Sequence, residues 1–133
     1  MLNQLRYAGN LFIFTLGLSA LAVLAAPTER LQNYNTRIEQ ARSEGATVLA
    51  PMSLRLAETE LLRAHKTVRN RADRPFSVEH ALEMVDYRIE ELRQVLEALK
   101  SAGFDMTEET AIRRVRESHP HMSPKLSKNE AMD

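Results

Sequence analysis

From Val78 to Leu99, apolar side chains return every third or fourth residue (Val78, Ala81, Leu82, Val85, Ile89, Leu92, Val95, Leu96 and Leu99), with no glycine or proline between them. A period near 3.6 puts all of them on one side of an α-helix, and a helix that long with one greasy side is stable only against other helices. The period-two alternation of a half-buried strand is found nowhere along the chain. The fold class expected is all-α. Ser77 is placed to cap this helix, with Phe76 packing on Ala81 as a staple, and Gly103 followed by Phe104 supplies a left-handed stop. Roughly 26 residues give a rod of about 39 Å.

Two further stripes precede it. Leu31, Tyr34, Ile38 and Ala41 predict a helix over about Thr28 to Glu44, ended by Gly45. Residues 46–50 then read as a break, because Pro51 is preorganised for the first turn of a new helix and pushes Ala50 toward an extended conformation. Leu54, Ala57, Leu61, Ala64 or His65, and Val68 form the next face, widened by Leu56 and Leu62. Arg69 to Pro75 has no apolar period and reads as a connection. After Gly103, Asp105 and Glu108 are a candidate capping pair for a short helix carrying Ala111, Ile112 and Val115. Residues 118–133 lack any apolar cluster that would offset the entropy of ordering them. The architecture expected is a long antiparallel helical hairpin with a shorter N-terminal helix, three-helix-bundle-like, followed by a short C-terminal helix and a flexible tail. The divisions are 1–25, 26–104, 105–117 and 118–133.

Residues 1–25 carry one charge, Arg6, then an apolar run from Leu11 to Leu24 ending in Ala25 and Ala26. This is the layout of a cleavable secretory signal, and the run is shorter than the roughly 20 residues a membrane-spanning helix needs. Cleavage is expected after Ala25, with a periplasmic product of about 108 residues, enough for one small domain. An exported chain is free to form disulfides, yet cysteine is absent, so apolar packing must hold the fold. Basic and acidic side chains number 18 each. Such a balance gives no overall electrostatic drive toward phosphate backbones, and nucleic acid is not an expected partner. Membrane contact is expected only through an uncleaved signal or weak electrostatics.

The wording of the middle segment, Ile38-Glu39-Gln40-Ala41-Arg42, Gly45-Ala46, Leu49-Ala50-Pro51, Leu54, Leu56-Ala57-Glu58 and Leu61-Leu62, resembles the bacterial envelope family catalogued as domain of unknown function 4398. The resemblance covers about Leu31 to Leu99. It implies an exported helical module, of a kind sometimes fused to a peptidoglycan-binding domain, and it brings no catalytic residues with it. The helix over 78–99 departs from the family's alanine-rich, acidic pattern through its bulkier apolar residues, Tyr87, Arg88 and Arg93.

Candidate chemistry is sparse. Ser77, Glu79 and His80 lie together, but adjacent helix positions diverge, so Ser77 and His80 meet only as a cap and its neighbour. His119, His121 and Met122 offer two imidazoles and a thioether, a reasonable donor set for a soft or borderline metal, with Pro120 between the histidines and no scaffold around them. His65 is expected at the core's edge. Arg63, Lys66, Arg69, Arg71 and Arg74 are expected to complement a helix C-terminus and to pair across helices with Glu79, Glu83, Asp86, Glu90 and Glu91, any surplus being available to lipid head groups or an acidic partner. Part of the 78–99 stripe is expected to stay uncovered as an interface. No catalytic residue and no cofactor is assigned. The function expected is a non-enzymatic envelope structural or adaptor protein, acting through helix-face contacts with a protein partner or a second copy. The alternative is a small periplasmic metal- or ligand-binding protein using the His119–Met122 segment.

Overall fold

The computed structural model describes residues 26–103 and 105–119, and every regular element among them is helical. Helix α1 spans 26–43, α2 Ala46–Leu49, α3 Pro51–Asn70, α4 Pro75–Ser101 and α5 Glu108–Ser118. The long helices α3 and α4 are joined by residues 71–74 and pack along one another as a hairpin. The chain is all-α, as the periodicity requires.

Buried positions on α4 run 78, 82, 85, 89, 92, 96 and 99, alternating steps of four and three. On α3 with its cap the run is Ala50, Leu54, Ala57, Leu61 and Ala64, and on α1 it is Leu31, Tyr34, Ile38 and Ala41. This is the seven-residue rhythm of helices packing knobs into holes. Ala50, Ala57 and Ala64 are fully buried, and their small side chains let a neighbouring helix approach closely. From Glu91 onward the buried face of α4 widens to include Glu91 and Val95, because α5 covers a second side there with Ala111, Ile112 and Val115. Helix α4 is thus the central rod.

Ion pairs fix the directions. Arg30 meets Glu79, Arg37 meets Asp86, and Glu44 meets Lys100, so α1 runs parallel to α4 in steady register. The C-terminal end of α1 reaches the start of α3, where Arg42 pairs with Glu58. Gly45 sits at φ 98° and Gly103 at φ 64°, the left-handed conformation that a glycine tolerates and other residues resist.

Four local expectations are corrected. Residues 46–50 are not a plain break: α2 makes one turn whose Ala46 and Ala50 are completely buried, so tertiary packing draws the link into the core. Helix α4 begins at Pro75 with Arg74 as N-cap, which places Ser77 inside the helix and leaves Phe76 91% exposed instead of stapled. Proline at the first helical position, with its preset φ, starts the helix before the serine can cap it. Leu62 does not widen the α3 face, being 71% exposed. Finally, the α4 stripe is covered along its whole length by α1, α3 and α5, and large exposed apolar residues stand singly at Val48, Met52, Leu62 and Phe76. Phe104, residues 1–25 and residues 120–133, and with them the signal and most of the tail, lie outside the described residues.

Candidate functional site

The one buried charged residue among those described is Glu91 on α4, 2% exposed within the seam between α4 and α5. Both of its carboxylate oxygens are engaged. Arg88, one turn earlier, donates from Nη1 to Oε2 at 2.8 Å, and Arg116 of α5 donates from Nε to Oε1 at 2.5 Å. The bond to Glu91, opposed by partial burial, holds the Arg116 guanidinium above its ordinary pKa, with Tyr87 adding to the effect. A buried carboxylate with two charged donors is tolerable in an apolar seam, whereas one stripped of a partner is not. The Arg88 Nε is buried without a partner, so this arginine is held by Glu91 through one edge of its fork. Chemically, the arrangement is a clamp between two helices, since each carboxylate oxygen holds a guanidinium and Arg116 reaches across from α5.

A second polar contact joins the other end of α5 to α3. Ala50, the N-cap of α3, has no side chain able to cap, and Pro51 has no N–H. The two orphan donors that remain, the N–H groups of Met52 and Ser53, both donate to the Glu108 carboxylate, at 3.3 and 2.8 Å. The negative charge also faces the positive end of the α3 dipole. Glu108 was expected to pair with Asp105 as a local cap. Instead Thr107 caps α5 by accepting from the Thr110 N–H, which frees Glu108 to cap a helix 55 residues away in sequence.

Of the acidic row of α4, Glu79, Asp86 and Glu90 are partnered by arginines of α1, Glu91 by Arg88 and Arg116, and none by the basic run of α3. Glu79 takes Arg30, Asp86 takes Arg37, and Glu90 takes Arg37 and Arg93. Arg63 turns to Glu60 on its own helix. Arg55, Lys66, Arg69, Arg71 and Arg74 form no side-chain ion pair among the described residues. The expected cross-helix pairing fails because the apolar registers put α1, not the outer side of α3, beside that row.

The residues singled out from the sequence do not converge. Ser77 is half-buried within α4, Glu79 is bound to Arg30, and His80 one position on faces partly into the structure. His65 is exposed while its neighbour Ala64 is fully buried, which resolves the alternative between them. His119 is the C-cap of α5, with its ring Nδ1 3.3 Å from the Val115 carbonyl oxygen. His121 and Met122 lie outside the described residues. Among those described, no three metal-ligating side chains gather, and no helix is long and apolar enough to cross a membrane. The surface has shallow, open grooves. One runs between Met52 and the Ile112–Arg116 side of α5, one between Gln94 and Val115–His119, and one smaller between Arg37 and Leu96. Glu91, Arg116 and Glu108 organise the molecule: the sequence pattern places Glu91 in an acidic row and Glu108 in a local cap, not in these contacts, and does not single out Arg116. The available signal was Glu91 falling in line with Val95 and Ala98 on a helix that is otherwise apolar there.

No family model matches this chain, and neither a curated protein nor a solved structure matches it.

Proposed function

We propose that this chain is a non-enzymatic structural or adaptor module of the bacterial cell envelope, exported by its N-terminal leader and working through protein contacts on its helix faces. The carrying observation is that the carboxylates of Glu91 and Glu108 are committed to contacts that tie α5 to α4 and to α3, through Arg116 and the first amides of α3, with Arg88 holding Glu91 from within α4. Polarity used in this way fixes shape and surface. The layout of residues 1–25 supports export, and the segments between Leu31 and Leu62 support kinship with the envelope family named above. With the α4 stripe covered, the contact surfaces are charged helix faces with single apolar residues set in them, such as α3 around Leu62.

The test is photocross-linking in living cells from reactive residues placed at exposed Asn35, Thr59 and Glu83, with parallel deletion of residues 120–133. A discrete envelope-protein adduct or a homodimer adduct that survives the deletion is the expected result. Adducts only to cytoplasmic proteins, or a hydrolase or transferase activity abolished by changing one polar residue, would overturn the proposal.

A further inference from the structure

We propose that the turn end of the α3–α4 hairpin is a docking surface for anionic phospholipid. On α3, Leu62, Lys66 and Arg69 follow one another at helical spacing on the outer side toward the turn, all exposed. Beyond them, Arg71 and Arg74 occupy the turn, and Phe76 projects from the first turn of α4 with 91% of its surface exposed. The four cations, Lys66, Arg69, Arg71 and Arg74, have no side-chain ion pair among the described residues, while every arginine of α1 and α4 has one. Nearby acids only partly offset them: Glu58 is taken by Arg42, Glu60 by Arg63 and Glu79 by Arg30, leaving Asp73 and Glu83 against four cations. The chain as a whole carries no net charge, so a basic cluster here is a local concentration at one end of the rod.

A helix terminus does not account for it. The negative end of the α3 dipole and the positive end of the α4 dipole meet at this turn and largely cancel, so little remains for four cations to complement. Cations around a leucine and a phenylalanine are the composition of an interfacial surface, where charges meet head groups and the apolar side chains enter the acyl boundary. The shape agrees. A helical turn is a protruding tip, and the grooves found among the described residues are lined by α1, α5, the far part of α4 and Met52 at the far end of α3. A fluid anionic surface conforms to a tip, and it needs no fixed partner geometry. The inference rests on this charge arrangement and holds whether or not the adaptor reading does.

The experiment is flotation of the full chain with vesicles of phosphatidylcholine, alone or mixed with phosphatidylglycerol, with inorganic phosphate as competitor and a single-stranded oligonucleotide as the rival polyanion. Binding to the mixed vesicles alone, insensitive to millimolar phosphate and weakened by salt, is the expected result. Each cation near such a surface is worth about fivefold in affinity, so Arg71→Gln with Arg74→Gln should lower binding about 25-fold. Phe76→Ser should weaken it further. Arg113→Gln with Arg114→Gln, the same charge change on exposed positions of α5, should leave binding within about twofold if the tip is the contact. Equal losses from both pairs, equal binding to neutral vesicles, or tighter binding to the oligonucleotide would each overturn the proposal. All these positions are exposed, and unchanged circular dichroism verifies that the variants are folded.

Discussion

Removing the Glu108 carboxylate tests the most specific feature of the packing. The start of α3 can be accounted for donor by donor: the Ala50 N–H is bonded to Ala46, Pro51 has none, the Leu54 N–H is bonded to Ala50, and Met52 and Ser53 both depend on Glu108. In Glu108→Ala the half-exposed Met52 N–H turns to water at little cost. Ser53 is 1% exposed, so its N–H loses its acceptor in a place water reaches poorly. An unsatisfied buried donor costs about 1–3 kcal/mol, and the lost charge at the helix dipole adds about 0.3–1 kcal/mol. A total near 2 kcal/mol is expected, or a fall in Tm of about 10 °C for a domain this small. Glu108→Gln keeps an acceptor oxygen without the charge and should lose about half as much. Urea unfolding followed by circular dichroism measures the totals, and hydrogen exchange should show the Ser53 amide losing protection beyond the global change. If Glu108→Ala costs less than about 0.5 kcal/mol, or Glu108→Gln costs as much as Glu108→Ala, the capping argument is wrong.

Three further outcomes follow from the same reasoning. Glu91→Ala should destabilise by about 3 kcal/mol and Arg116→Ala by about 1.5 kcal/mol, the smaller value reflecting an arginine open to solvent on one side. A double-mutant cycle should return about 1–2 kcal/mol of coupling, and simple additivity would mean that the clamp is only an arrangement of neighbours. Gly45→Ala should cost about 1–2 kcal/mol because φ is 98°, the new Cβ meeting the Leu49 side chain only in ordinary contact at 3.4 Å; an unchanged urea midpoint would refute the strain. The hydrogen bond from Arg93 holds Glu90 below its ordinary pKa against partial burial, with Gln94 and Arg37 assisting. A carboxylate lowered in the folded state stabilises it fully above the unfolded value of about 4.3 and loses that contribution as pH falls through the folded value. The stability gap between the parent and Glu90→Gln should therefore close on acidification below about pH 4, and a gap constant with pH would contradict the assignment.

What could be read from residues alone was whatever is decided within a few residues of itself. The Val78–Leu99 stripe, the stops at Gly45 and Gly103 and the start at Pro51 are consequences of helical period and allowed backbone angles, and the structure has each of them. The single turn at Ala46–Leu49 was not legible, because what holds it is burial of Ala46 and Ala50 among helices distant in sequence. The start of α4 was misplaced, because Pro75 closes the connection in the sequence pattern yet occupies the first turn of the helix, ahead of Ser77. The functional geometry was the least legible part. Arg30 finds Glu79 across 49 residues, Glu108 finds Ser53 across 55, and Arg116 finds Glu91 across 25, each pairing set by the packing register of two helices. A basic run beside an acidic stripe suggested pairing between them, yet most of the stripe turned to α1, Arg63 to Glu60 on its own helix, and Lys66, Arg69, Arg71 and Arg74 form no ion pair among the described residues.

The parallel seating of α1 on α4 is what makes the described residues one body with fixed faces, and it can be tested directly because the chain has no cysteine of its own. Cysteines introduced at Arg37 and Asp86 should be bridged rapidly within a monomer by a short bifunctional thiol reagent, since the native side chains meet at 2.9 Å. Cysteines at Arg37 and Ser101, separated by about 22 Å more along α4, should not be. Bridging of both pairs alike, or of the first pair only between two chains, would contradict the account.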